Sequence, residues 1–217
     1  DQMPRARKLG NTLIVLTLLA TAVHAGEVSF HYGFVGKHRA GGDSLTLIED
    51  GTTLRSGEAF KVNVEYPAAV RFYVLYLSSE GEYALLYSSK GKNEGQQGIR
   101  FATLDWMTLD KNLGEEKFTL IASDKRLREF ERSLARYQKS SGNSRERFQK
   151  RIHIILDKLE RGPSSSTGVT LLQRLEKPVI GGVTFRGKKT SALASNALGY
   201  KASGERVALA IFTIQHQ

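Results

Sequence analysis

Histidine, serine and acidic side chains are present, but no contiguous motif arranges them for chemistry. Beyond the first 25 residues the chain carries His31, His38, His153 and His216, and it has no Cys. None of these histidines stands at the HxxxH or HExxH spacing that puts ligands on one helix face around zinc. His31 falls on the polar side of an alternating segment and His216 ends the last apolar one. They meet at one metal only if those two strands are neighbours, so no metal and no other cofactor is expected. There is no GxSxG, hence no nucleophile elbow of the α/β-hydrolase kind. Ser78, Ser79, Ser88, Ser89 and residues 164–166 lie in polar connections where solvation explains them. Glu115 and Glu116 precede an apolar run and read as turn residues; Asp105 and Asp110 flank Trp106, the only Trp. Residues 182–189, GVTFRGKK, carry two glycines and a lysine of a phosphate loop. Lys189 stands where such a loop needs Ser or Thr for magnesium, and the flanks read as strand, so this is a basic β-turn. The expectation is a protein that is not an enzyme. A hydrolase with a convergent Ser/His/acid site is kept as an alternative, because triads are defined in space and not by spacing.

Aromatic side chains offer a second alternative. Tyr73, Tyr76, Tyr83, Tyr87 and Trp106 have the types that stack on a sugar or a small planar ligand, which would make the protein a small-ligand or saccharide-binding protein. The competing reading is core packing, which alternation supports for at least half of them.

The elements that must position these residues are legible from period. Phe60, Val62, Val64 and Tyr66 fall at every second position with polar residues between, the signature of a strand with one face in a core. Residues 72–77 are apolar on both faces and read as a central strand, Glu80-Gly81 as a tight turn, and residues 83–87 as the returning strand. These three runs, end to end, predict a sheet. Val28, Phe30, Tyr32 and Phe34 alternate likewise. Residues 44–48, 117–123, 169–175, 179–185 and 207–214 complete the strands, the last apolar on both faces. Residues 90–98 read as a glycine-rich loop with Trp106 packed beneath it. Between residues 124 and 161 the period changes to 3.6. Leu127, Phe130, Leu134 and Tyr137 form one helical stripe, with Asp124 as N-cap and Gly142 as stop. Phe148, Ile152, Ile155, Leu156 and Leu159 form a second, opened by a capping box of Asn143 and Glu146 and closed by Gly162-Pro163. The short link predicts an antiparallel hairpin laid on the sheet. The fold expected is α+β: an antiparallel β-sandwich-like core over residues 26–217, with the hairpin at 124–161 inserted in one domain and residues 164–167 as a joint.

Charge is distributed unevenly. The chain's net charge is +10. Residues 26–123 hold ten Lys and Arg against thirteen Asp and Glu, residues 124–161 twelve against six, and residues 162–217 seven against two. Lys125, Arg128, Arg132, Arg136 and Lys139 lie away from the first apolar stripe, and Arg147, Lys150 and Lys158 away from the second. Such a face attracts an anionic partner, unless the interleaved acids pair with it. The first 25 residues read as a signal peptide: Arg5, Arg7 and Lys8, then the apolar residues 13–20, then Val23-His24-Ala25, with cleavage after Ala25. The apolar run is too short to span the ~30 Å bilayer core. Export places the protein in a bacterial periplasm. There the expected partner is an acidic protein or an anionic envelope component, with peripheral membrane contact and no nucleic acid.

Four segments resemble a bacterial family of unknown function, DUF 4384. They are Leu54-Arg55-Ser56-Gly57-Glu58, Phe72-Tyr73-Val74-Leu75-Tyr76, Leu86-Tyr87-Ser88, and Phe118-Thr119-Leu120-Ile121-Ala122-Ser123, spanning about residues 45–131. Glu58 stands where the family usually shows Asp, and Ser88 where it often shows Pro. The resemblance implies a β-sandwich-like module of exported or envelope proteins, with no activity and no functional residues attached.

Overall fold

A computed structural model of the chain describes residues 27–37, 45–89, 98–162, 168–171 and 198–217. The signal-peptide reading, the loop at 90–98 except Gly98, the joint at 164–167, residues 172–175 of the strand at 169–175, the strand at 179–185, the basic turn at 182–189 and His38 lie outside the described residues.

The fold is α+β, in three layers. In the first sheet the strands run in the order β10 (Gly168–Leu171), β11 (Tyr200–Gly204), β1 (Val28–Lys37), β4 (Ala59–Pro67) and β7 (Ile99–Thr103). Here β2 (Leu45–Ile48) pairs with β1, and β8 (Met107–Thr108) with β4. The second sheet has the order β3 (Thr52–Leu54), β12 (Val207–His216), β9 (Gly114–Ser123), β5 (Arg71–Leu77) and β6 (Tyr83–Ser88). Among the described strands all pairings are antiparallel except β3 with β12. The helices α1 (Arg128–Lys139) and α2 (Gly142–Arg161) cover the outer face of the second sheet.

The alternating residues face where their period places them. Phe30, Tyr32, Phe34, Phe60, Val62, Val64 and Tyr66 from the first sheet meet Phe72, Val74, Phe118, Leu120, Ala122, Ala208, Ala210, Phe212 and Ile214 from the second. Phe34 is the hub, stacked on Phe212 with centroids 3.7 Å apart and edge-on to Phe118 at 5.1 Å. The intervening residues of the second sheet, Tyr73, Leu75, Ile121 and Leu209, turn outward onto Phe130, Leu134, Tyr137 and Ile152 of the helices. Burial on both faces explains why β5 is apolar after Arg71 and why the apolar stretches of β9 (residues 118–122) and β12 (residues 207–212) run on both faces.

Four local expectations are corrected. The three runs from Glu58 to Ser88 do not share one sheet: β4 lies in the first and β5 with β6 in the second. The chain crosses over at Pro67, where the Val70 N–H donates back to the Pro67 carbonyl at 3.1 Å. Asp124 does not cap α1, which begins after Leu127 without a side-chain cap; Asp124 instead pairs with Arg206 at 3.2 Å. Gly142 is not the residue on which α1 stops. That is Ser140, and Gly142, at φ +52, reverses the chain and opens α2. Asn143 and Glu146 form no capping box, since both lie inside the helix. The strand at 200–204 has little signal in the sequence, because YKASG has only one large β-former.

Candidate functional site

The hairpin's apolar stripes fix which side chains face outward. With Phe130, Leu134 and Tyr137 buried, residues four, four and three apart on the opposite face of α1 are solvent-facing. These are Arg128, Arg132, Arg136 and Lys139, all exposed. On α2, Ile152 is the one fully buried residue, and Arg147, Lys150 and Lys158 are exposed. Three acids of the hairpin are engaged by other bases. Glu129 pairs with Arg151 at 2.9 Å across the two helices, Glu131 with Arg126 at 2.6 Å, and Asp157 with Arg161 at 3.7 Å. Among the described residues, none of the seven outward bases forms an ion pair.

A groove of about 270 Å³ runs between the helices, lined by Glu129, Arg132, Ser133, Arg136, Phe148 and Arg151. The Phe148 ring has the Arg136 guanidinium 5.9 Å from its centroid and that of Arg147 5.2 Å away. Cation–π attraction to the phenyl face offsets part of the repulsion between the two like charges. A larger cleft, about 780 Å³, lies where α1 meets β5 and β6. Its floor is apolar (Leu85, Phe130, Leu134) and its rim carries Arg71, Arg126, Arg132 and Glu131, with Ser88 and Ser89. Arg132 lines both, so the basic lining of the cleft and that of the groove meet at this side chain on α1. Nothing local in the sequence marks Arg71 and Arg126 as members of this rim. Arg71 opens a strand in the mildly acidic part of the chain, and Arg126 precedes the helix.

Glu131 organises the rim. Its carboxylate accepts from Arg126 Nε at 2.7 Å and from the Tyr73 hydroxyl at 2.9 Å. Burial pushes the Glu131 carboxyl up, but those hydrogen bonds and the charges of Arg126 and Arg71 outweigh it and hold the group below its ordinary value. Burial and the bond to Glu131 push the Tyr73 phenol up to about 12. A lowered folded-state pKa gives stability that is present above the ordinary carboxylate value and lost as pH falls through the folded value. Glu131→Gln is therefore expected to lower Tm at pH 7, and the gap from the native chain should close as pH falls below about 4.5. Thermal melts across pH 7 to 3 check this, and a gap that stays constant would refute it.

The five aromatic candidates are not brought together. Tyr73 and Tyr83 are buried under the helices, Tyr76 and Tyr87 pack toward the inter-sheet core, and Trp106 is 39% exposed with Lys61 Nζ 5.3 Å from its ring centroid. The histidines also separate. His31 in β1 bonds Glu65 across to β4 at 3.2 Å, His153 sits on the outside of α2, and His216 ends β12 in the other sheet. Among the described residues no group of three or more His, Asp or Glu is placed to hold a metal.

One constellation is assembled only in three dimensions. The Ser56 hydroxyl and His216 Nε2 share a hydrogen bond of 2.9 Å, and Glu116 Oε1 lies 3.9 Å from His216 Nδ1. The expectation that Glu116 is a turn residue is corrected, because it is buried in β9. Period held the signal. Glu116 is in phase with Phe118, Leu120 and Ala122, and His216 with Phe212 and Ile214, so both point into the core.

No helix of the described residues is long and apolar enough to cross a membrane. No family model, curated protein or solved structure matches the chain.

Proposed function

We propose that the protein is an exported, periplasmic binding module that docks on an anionic envelope component through the basic face of its helical hairpin. The observation that carries this reading is the basic lining of cleft and groove, in which Arg132 and Arg136 have no acid partner among the described residues. The apolar floor beneath the charged rim favours a phosphate-bearing amphiphile over an acidic protein, since a lipid supplies both an anion and hydrocarbon. The leader-like first 25 residues support export, and the resemblance to DUF 4384 supports an envelope module.

The test is sedimentation of the full chain with vesicles of anionic phospholipid and of zwitterionic phospholipid. Binding is expected to the anionic vesicles alone and to weaken as salt screens the attraction. Each base near an anionic surface contributes about 1 kcal/mol. Arg128→Gln, Arg132→Gln and Arg136→Gln together should therefore reduce vesicle affinity about a hundredfold. No binding at low salt, or binding indifferent to salt, refutes the reading. Salt-sensitive capture by an acidic protein without vesicle binding would assign the face to a protein partner instead.

A further inference from the structure

We propose that Ser56 is a nucleophile activated by His216, with Glu116 positioning the imidazole, and that the protein carries out acyl transfer from small activated esters to water. The three residues are 60 and 100 positions apart, and the register of the second sheet brings them together. His216 pairs with Gly114 of β9 on one side and with Leu54 of β3 on the other. The turn after β3 presents Ser56, which is exposed, while His216 and Glu116 are each 2% exposed.

The geometry sets the proton positions. Glu116 Oε2 accepts from the Tyr76 hydroxyl at 2.6 Å and from the Ser79 N–H at 3.3 Å, which fixes the carboxylate and leaves Oε1 facing His216 Nδ1. Nδ1 is buried and has no other partner. A proton on Nδ1 faces the carboxylate favourably, whereas a lone pair there would repel it. That tautomer leaves Nε2 free to accept the Ser56 hydroxyl proton, the arrangement a general base requires. The turn itself is rigid. The Arg55 N–H donates to Glu58 Oε2 at 2.9 Å, the Glu58 N–H to the Arg55 carbonyl at 3.0 Å, and the Gly57 N–H to the Leu109 carbonyl at 2.9 Å. Gly57 adopts φ +80, which a side chain would resist.

In the step proposed, Ser56 Oγ attacks the acyl carbon as its proton passes to Nε2. The ester C–O bond breaks, and the imidazolium returns the proton to the departing alkoxide. Water then repeats the sequence on the acyl-serine, releasing the acid and restoring the hydroxyl; no oxidant or reductant enters. The N–H groups of Gly57 and Glu58 are committed to the turn and cannot cradle an oxyanion. A missing oxyanion donor costs on the order of 10²–10³ in rate. This confines the substrate class to esters with good leaving groups, and acylation is expected to outrun hydrolysis.

The experiment exposes the full chain to p-nitrophenyl acetate and, separately, to a fluorophosphonate, and locates adducts by peptide mass spectrometry. The expected result is a burst of nitrophenolate and an adduct on Ser56, both absent in Ser56→Ala. Because Ser56 is exposed, that variant should retain the fold. His216→Gln should slow adduct formation at least about a hundredfold, the lower range of a general-base contribution. Glu116→Gln should lower the acylation rate with an unchanged KM for the ester. If the buried variants unfold, the native chain in urea serves in their place and must lose Ser56 labelling. No adduct on Ser56, or labelling equally fast in His216→Gln or in urea, would overturn the proposal and leave Ser56 as a hydrogen-bond partner of a buried histidine.

Discussion

Phe34→Ala is expected to destabilise the protein by about 3–5 kcal/mol, the usual range for emptying a buried aromatic site. Phe34 is fully buried and touches aromatics from both sheets: Phe212, Phe118, Phe60 and Tyr32. These neighbours belong to four strands, so no one of them can move in to fill the void without breaking a ladder. Against the 5–15 kcal/mol typical of a folded domain this is a large share. Urea denaturation should show a lower midpoint with an unchanged slope, since the surface exposed on unfolding is the same. A loss below about 1 kcal/mol would mean that the two sheets do not depend on this contact.

Ile152→Ala is expected to cost about 2–5 kcal/mol, and to act on one layer. Ile152 is the only residue of α2 that is fully buried; Phe148, Ile155, Leu156 and Leu159 are only partly covered. The helix is otherwise tied down by a few polar contacts. Gln149 Nε2 donates to the Gly81 carbonyl at 2.6 Å, and Arg145 reaches Glu82 at 3.0 Å and the Tyr137 hydroxyl at 3.2 Å. Hydrogen exchange should show α2 amides losing protection while β5 and β9 keep theirs. Vesicle binding should fall with them, because the groove needs both helices. Equal loss of protection in sheet and helix would show a single cooperative unit instead.

How much was legible depended on whether a feature is local. Alternation identifies Phe60, Val62, Val64 and Tyr66 as one buried face, and spacing of three and four identifies Phe130, Leu134 and Tyr137, because each pattern is written within a dozen residues. The same period states which side chains turn inward but not which sheet receives them. For that reason period alone sets β4 beside β5 and carries no sign of the crossover at Pro67. Helix ends are poorly written in the sequence for a related reason. Asp124 has the chemistry of a cap, but Arg206, 82 residues on, competes for it. The basic face was readable because its residues sit on two consecutive helices. Its extension through Arg71 was not, since only the packing of α1 over β5 brings that residue to the rim. Ser56, Glu116 and His216 lie at the extreme of this scale, held together by strand register alone.

The position of β12 has a consequence for biogenesis. It is the last described strand to be synthesised, yet it sits inside the second sheet between β3 and β9. Until it arrives, β9 has one open edge ten residues long, its other edge being paired with β5. Such an open margin invites pairing with other chains. The second sheet is therefore closed only when β12 is in place, and pairing of this edge with another copy competes with folding until then.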